Sequence, residues 1–360
     1  MAGHSSYTEG ISLTDIVYTR AALGFSAHFM MQLDIDELDQ FHPVRISGVE
    51  RSLLRGLSEA GPVDLMLTGE QRAGDFGVGD WVLATKGGRI VRRLDPISSL
   101  TRRAAGTDRA LQIIASNLNT LFIVTSANAD FNPARLERYL ALAAEAEVTP
   151  VLVITKADLV DDVSDYVGQA QSLMPSLHVV ALDAVAGDVH AVLGPWCGSG
   201  QTVALVGSSG VGKTTIMNRL TGLDLVTQDI REDDAKGRHT TTSRALYAID
   251  GGGWVIDTPG MRALRLHDSG DGVAAVFADL EALAAECKFG DCAHDTEPGC
   301  AVQAAIAAGE LDAARLDRWR KLAREDNRNT QSVAEARAQS RAFGKMVSRA
   351  MKDKDRRRGD

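Results

Sequence analysis

From residue 111 onward the apolar positions cluster in short continuous runs. Leu121–Ala127 (LFIVTSA), Val151–Thr155 (VLVIT), His178–Leu182 (HVVAL) and Thr202–Val206 (TVALV) have the lengths of strands buried on both faces. After the first run, Asn132-Pro133 supplies a helix N-cap and a first-turn proline, and Leu136, Leu140 and Ala143 keep helical spacing. Strands alternating with helices predict a parallel sheet. ALYAI, the Gly251–Gly253 turn and WVID then read as a hairpin.

Upstream the rhythm is different. His42 to about Leu94 reads as short strands split by turn residues, with candidates Arg45–Leu54, Val63–Leu67, Asp80–Thr85 and Arg89–Leu94. Regular short strands with Gly-rich turns predict a small barrel, of OB or SH3-like type. Residues up to about 40 are polar, with no clear pattern beyond a short helical stretch. Beyond Gly270, Val273, Val276, Leu280 and Leu283 share a helical face. A Cys/His cluster interrupts this, and more helix is predicted from Ala301 to about Asp326, followed by a polar tail.

At 360 residues the chain has room for two or three domains. No apolar run approaches the roughly 20 residues of a membrane span. MAGHSSYTEG lacks a basic start with an apolar core, and four cysteines do not make a disulfide scaffold. A cytoplasmic protein without a membrane partner is expected. The net charge of −9 argues against a simple nucleic-acid coat. Basic residues do gather locally, as Arg89, Arg92, Arg93, Arg102 and Arg103 and again in residues 345–360. Each group reads equally as solvated surface or as an RNA-facing patch.

Gly207 to Thr214, GSSGVGKT, fits G-x-x-x-x-G-K-[ST] with an apolar strand before it and a helix-compatible TTIMNRL behind. Its glycines allow the backbone of Gly207, Ser208, Ser209, Gly210, Val211 and Gly212 to wrap phosphates. Lys213 would reach the β- and γ-phosphates, Thr214 would offer a hydroxyl to Mg²⁺, and Thr215 continues the loop into the helix. In WVIDTPG, Asp257 ends a strand where a carboxylate holds Mg²⁺ through water, and the Gly260 N–H faces a γ-phosphate. The polar stretch 225–244 reads as a segment ordered by nucleotide, Mg²⁺ or a partner. One of Thr240, Thr241 and Thr242 should reach Mg²⁺, with Thr241 favoured.

Ahead of this loop, TKAD at Thr155, Lys156, Ala157 and Asp158 has the chemistry of a guanine reader. The Asp158 carboxylate can accept the N1–H and N2–H donors of guanine, a pattern adenine lacks, and hydrogen bonds to a charged group contribute about 1.5–3 kcal/mol each. The Lys156 stem can cover the ring. Thr155 departs from the usual Asn, whose amide bridges loop and base. Alone, T-K-x-D after a strand is a common coincidence; the phosphate loop and D-T-P-G in the same region change its weight. About 25 residues later, Asp183-Ala184 occupies the place of a weak base-backing loop. The base-reading strand therefore precedes the phosphate strand, an order reached by circular permutation when chain ends lie close.

Cys287, Cys292, His294 and Cys300 form C-x4-C-x-H-x5-C, three thiols and an imidazole that close a tetrahedral structural Zn²⁺ site. Cys197 falls outside the pattern and reads as a plain thiol.

In this order, TKAD, GSSGVGKT, GRHTTT, DTPG and the zinc signature with EPGCAV, the chain resembles the circularly permuted GTPases of small-ribosomal-subunit biogenesis, the RsgA (YjeQ) type, from about Val49 to Lys345. The resemblance implies a multidomain α/β protein. It would comprise an extension (1–40), an OB-fold RNA-binding barrel (41–106), a permuted P-loop GTPase (107–268), a mainly helical zinc domain (269–345) and a basic tail (346–360). It further implies GTP, Mg²⁺ and one Zn²⁺ as cofactors, the small subunit and its rRNA as partners, and release on hydrolysis. A monomer off the ribosome is expected. The residue after DTPG is Met261, whose thioether cannot orient a water; His239, beside the threonines, is the catalytic candidate on position and on resemblance. Alternatives from the residues alone are another ribosome- or RNA-associated GTPase, a zinc RNA-binding module that merely holds nucleotide, and a P-loop ATPase or kinase, which Asp158 opposes.

Overall fold

The computed structural model describes residues 18–50, 53–69, 71–103, 111–225, 244–257 and 269–327. Its centre is the sheet predicted from the apolar runs. The strands are β8 (Thr120–Ser126), β9 (Thr149–Thr155), β10 (His178–Ala181), β11 (Thr202–Val206), β12 (Arg244–Ala248) and β13 (Trp254–Asp257), in the order β10-β9-β8-β11-β13-β12. All are parallel except β12, which turns back on β13 as a hairpin. Every residue of β8 and β11 is buried, which explains why each is apolar apart from the small hydroxyl residues Thr120, Thr125, Ser126 and Thr202 near its ends. Helix α3 (Pro133–Glu145) covers one face, capped by the Asn132 side chain on Arg135 N with Pro133 in its first turn. Helix α6 (Lys213–Thr221) covers the other, burying Ile216, Met217 and Leu220.

Upstream lie β1 (His42–Val49), β2 (Leu54–Ser58), β3 (Gly61–Leu65), β4 (Trp81–Ala84) and β5 (Ile90–Arg93). β1 pairs with β2 and β4, β2 with β3, and β4 with β5, all antiparallel. A parallel bridge between Met66 and Arg89 joins the end of β3 to the start of β5. The resulting order β1-β2-β3-β5-β4-β1 is the Greek-key closure of an OB barrel, which the sequence could not separate from an SH3-like one. The expected strand Arg45–Leu54 is two strands: β1 ends at Val49 and β2 begins at Leu54. Glu50 N bonds to Leu53 O, and residues 50–53 include neither Gly nor Pro, so nothing in the sequence marks the break between the strands. A further hairpin, β6 (Ser99–Arg103) with β7 (Leu111–Ser116), links barrel to sheet and has no counterpart in the sequence reading.

Residues 18–40, read from the sequence as polar with one short helical stretch, contribute to the core. They contain α1 (Ala27–Met30) and α2 (Ile35–Gln40), and Tyr18, Leu23, Phe25 and Phe29 are core residues. Phe25 stands edge-on to Trp81 of the barrel at 4.9 Å, and Ala22 O accepts from Trp254 Nε1 of the central sheet at 2.7 Å. β1 also pairs with β12 at Gly48↔Ala245 and Val49↔Arg244, so barrel and central sheet are continuous at one edge.

The C-terminal part contains α7 (Gly270–Val276), α8 (Ala278–Ala285) and α9 (Ala301–Ala308), followed by helical residues 313–327. The expected single helix from Ala301 is thus broken after Ala308, where Gly309 takes φ +78° and caps α9. α7 lies against α3 at close range: a Cβ on Gly272 would stand 2.2 Å from Ala141 O. Among the described residues no helix is long and apolar enough to cross a membrane.

Candidate nucleotide and metal sites

Because β9, β11 and β13 run parallel, their carboxyl ends share one edge of the sheet. That edge brings together three loops far apart in sequence. β11 ends at Val206 and leads into the phosphate loop; β13 ends on Asp257; β9 ends on Thr155. Such an edge is where open α/β sheets bind ligands.

The phosphate loop is built as its glycines predict. Gly207 has φ +142°, and a Cβ there would meet Val124 O at 2.1 Å, so only glycine lets the loop cross the end of β8. Gly210 and Gly212 are also at positive φ, and Gly212 caps α6. Val211 is buried and anchors the loop in the apolar layer under α6. Lys213 Nζ donates to the carbonyls of Gly207 (3.0 Å) and Ser208, curling over the loop in which a phosphate would lie. Thr214 and Thr215 follow in the first turn of α6, whose N-terminal N–H groups favour an anion.

Asp257 is held at the end of β13. Burial raises its pKa, and the charge of Lys213 partly opposes that shift. A half-buried carboxylate next to the lysine of a phosphate loop fits a metal-directed acid.

At the end of β9, Thr155 is 1% exposed. Its hydroxyl lies 2.7 Å from Val211 O and 3.0 Å from Thr125 O, so its single hydrogen is shared between the phosphate loop and the neighbouring strand. The threonine hydroxyl thus ties the end of β9 to the phosphate loop, a contact separate from the expected loss of an amide bridge to the base. Lys156 then takes a left-handed conformation, φ +56°, and Ala157–Leu159 form a single 3-10 turn with Asp158 at the surface. This turn presents the carboxylate beyond the sheet edge, where a base could reach it.

The weak match at Asp183-Ala184 gains support from the fold. β10 pairs with β9 as far as Ala181↔Ile154, and Leu182 N bonds to Ile154 O, which carries the loop alongside Thr155. Asp183 Oδ1 accepts from Val185 N and Ala186 N, closing a tight turn. Gly187 O accepts from Arg219 of α6 at 3.1 Å. This loop is thereby pinned to the helix that follows the phosphate loop.

The four Cys/His residues converge between α8 and α9, their ligand atoms all within 4.8 Å of one another. Cys287 Sγ is 3.8 Å from Cys300 Sγ and 3.5 Å from His294 Nδ1, and Cys300 Sγ is 3.6 Å from that nitrogen. Bonds of about 2.3 Å to sulfur and about 2.0 Å to nitrogen at tetrahedral angles require edges of about 3.8 and 3.5 Å, so the cluster fits zinc. The surrounding contacts hold it in shape. Cys300 Sγ caps α9 by accepting from Gln303 N. Glu297 accepts from Ala293 N and Asp295 N, and His294 O accepts from Gln303 and Arg320. Cys197 lies apart in the central core, where burial pushes its thiol up to about 12, as expected of a plain thiol.

His239, Thr240, Thr241, Thr242, Gly260 and Met261 lie outside the described residues. The basic group near the barrel is thinner than its sequence implies. Arg92 is paired with Glu37 at 2.8 Å and Arg93 with the buried Asp80 at 2.7 Å; Arg89 remains exposed.

Fold and site together define a P-loop GTPase whose base-reading strand precedes its phosphate strand, flanked by an OB barrel and a helical Cys/His module. A family model described as RsgA GTPase matches residues 94–267. A Mesorhizobium japonicum protein named small ribosomal subunit biogenesis GTPase RsgA is 53% identical over 315 residues, 86% of this chain and 90% of the relative. A Vibrio parahaemolyticus protein named small ribosomal subunit biogenesis GTPase RsgA 2 is 48% identical over 336 residues, 93% of each chain. The chain belongs to the RsgA GTPase family. Its fold is similar to that of YjeQ from Thermotoga maritima, with TM-score 0.59 and 24% identity over 78% of this chain and 97% of that one. It is also similar to YloQ, described as a circularly permuted GTPase, with TM-score 0.55 and 23% identity over 78% and 93%.

Proposed function

We propose that this protein binds the small ribosomal subunit through rRNA-contacting flanking regions, assists its late maturation, and leaves on hydrolysing GTP to GDP and phosphate. The names of its relatives supply the ribosomal context. The observation that carries the nucleotide reading is the Thr155–Val211 hydrogen bond, which makes the base loop and phosphate loop one rigid frame.

In this reading Asp158 accepts from the guanine edge and the Lys156 stem covers the ring. The backbone of Gly207–Thr215 and the Lys213 ammonium hold the phosphates. Mg²⁺, when bound, neutralises charge building on the phosphate oxygens; Thr214, Thr241 and, through water, Asp257 would hold it. The Gly260 N–H donates to the γ-phosphate, and His239 orients the attacking water because Met261 has no group to do so. Zn²⁺ closes the Cys287, Cys292, His294, Cys300 cluster as a structural ion, keeping α8 and α9 in register beside the GTPase core. The protein works as a monomer off the ribosome, in the cytoplasm.

The test is GTP turnover by the full chain with and without purified small subunits. Slow turnover alone and strong stimulation by small, not large, subunits is expected. His239→Ala should lose the stimulated rate and keep nucleotide affinity. Equal stimulation by large subunits, or Lys213→Ala turning over like the parent, would overturn the reading.

A further inference from the structure

Arg45 lies in the middle of β1 and is 1% exposed, yet no carboxylate among the described residues pairs with it. Its Nη1 donates to Leu23 O at 2.7 Å and its Nη2 to Thr202 Oγ1 at 2.6 Å. Its Nε–H is buried without a hydrogen-bond partner. A buried guanidinium held only by neutral acceptors is costly, because removing a charge from water is offset fully only by an opposite charge. Burial alone brings its pKa down to about 9.

The same arginine lines a cavity of about 260 Å³ at the junction of three parts of the molecule. The N-terminal segment contributes Gly24, Ser26 and Phe29, the link after the barrel contributes Ile97, and the strand starts of the central sheet contribute Asn119 and Thr202. Among the described residues no Asp, Glu or Lys lines it, and Arg45 is the sole charge among them. Asn119 Oδ1 accepts from Thr202 N at 2.8 Å, which leaves the amide nitrogen of that side chain as a further donor. Ser26, Ser199 and Gln201 are exposed at its mouth. The cavity is set at the amino end of β11, opposite the end that leads into the phosphate loop, and is therefore separate from the nucleotide site.

We infer that this cavity binds a small free oxyanion of the phosphate class, anchored by the Arg45 guanidinium. Its volume admits a phosphate-sized ion with bridging waters, at about 30 Å³ per water. A ligand there touches the N-terminal segment, the barrel and the central sheet at once, so its binding stiffens their junction.

The experiment measures thermal unfolding of the full chain saturated with Mg²⁺ and a non-hydrolysable GTP analogue, which fills the phosphate loop. Inorganic phosphate, sulfate, acetate and chloride are titrated at matched ionic strength. Phosphate and sulfate should give a saturable rise of roughly 2–3 °C at ten times their dissociation constant. Acetate should give less than half of that, and chloride none. Arg45→Met should abolish the rise while leaving analogue binding intact. Should Arg45→Met fail to fold, Asn119→Asp supplies the test, because it keeps an acceptor for Thr202 N and builds a carboxylate into the lining. That variant should start at a higher midpoint and no longer respond to phosphate. No saturable rise in the parent, an equal rise with acetate, or an unchanged rise in either variant would overturn the inference.

Discussion

Thr155 Oγ1 lies 2.7 Å from the carbonyl oxygen of Val211, joining the last residue of the base-reading strand to the crown of the phosphate loop. β8 stands between the two parent strands, a separation of two strand spacings or about 10 Å. The contact is possible because the loop after Gly207 crosses over the end of β8. Thr155→Val keeps shape and removes the hydrogen. It forfeits about 1–1.5 kcal/mol and leaves a buried carbonyl short of a donor, so GTP and GDP affinity should both fall about tenfold. Fluorescent-nucleotide titration checks this; a loss confined to GTP would place the hydroxyl's effect elsewhere.

Asp158 projects from its 3-10 turn with nothing else on that turn able to accept two hydrogen bonds from a base edge. Asp158→Asn should weaken GTP roughly 10–100-fold and favour xanthosine triphosphate, whose base edge carries the complementary acceptor. Competition between the two nucleotides reads it directly. Unchanged GTP binding would remove guanine recognition from this turn.

Asp257 links function to pH. Burial raises its folded pKa above that of the unfolded chain, so the native state binds more protons between those values. Native stability from this group is therefore gained on acidification and lost as pH rises through the folded pKa. Asp257→Asn should raise the unfolding midpoint of the nucleotide-free protein near neutral pH and abolish Mg²⁺-dependent turnover. Its midpoint advantage should shrink as pH falls toward the ordinary carboxylate range and the native carboxyl protonates. Thermal scans across that range would show a constant advantage if the side chain is not desolvated.

Arg315 is the hub that fastens the C-terminal helices to the GTPase core. It holds Asp279 through two 2.8 Å bonds and meets Glu137 of α3 at 3.2 Å, Val276 O at 3.1 Å and the Phe277 ring at 4.8 Å. Glu137 is fully buried and is gripped by Arg318 as well. Glu137→Ala removes the buried acceptor that Arg315 and Arg318 share; Arg315 keeps Asp279, so the loss should be about 1.5–3 kcal/mol, that of hydrogen bonds to a charged group. Arg315→Lys should also be strongly destabilising, since an ammonium cannot reproduce the planar fork. Denaturant unfolding is the measurement, and a loss below about 1 kcal/mol for either would mean that these charges are not coupled.

Metal removal separates the four cysteines into two classes. Chelation should release one Zn²⁺ per chain and expose Cys287, Cys292 and Cys300 to a thiol reagent within the folded GTPase core. Cys197, with its thiol held protonated by burial, should react only on global unfolding. Four thiols reacting together in native buffer would contradict the assignment.

Continuous apolar runs marked β8, β9 and β11 because strands covered on both faces keep polar residues, here Thr and Ser with partnered or buried hydroxyls, to their ends. Phosphate-loop and zinc spacings were equally plain, since each chemistry demands specific residue types at fixed separations in the chain; T-K-x-D gained weight only beside the phosphate loop and D-T-P-G. The strand order that puts TKAD before GSSGVGKT was itself readable and is what identified the permutation. Other features depended on contacts across the fold. The residues between β1 and β2 include no Gly or Pro, so two strands read as one. Tyr18, Phe25 and Phe29 lie in a polar stretch and become core only because barrel and sheet close around them. Arg92 and Arg93 read equally as solvated surface or RNA-facing charge, and the pairing with Glu37 and Asp80 could not be seen in the sequence. The sequence by itself determined which chemistry the loops carry, because local spacing encodes it. Only the tertiary structure decided that Thr155 fastens to Val211, that Arg45 is buried beside a cavity without a carboxylate, and that Arg315 locks the C-terminal helices to α3. Each of these contacts joins residues more than 20 positions apart, a relation that no local periodicity records.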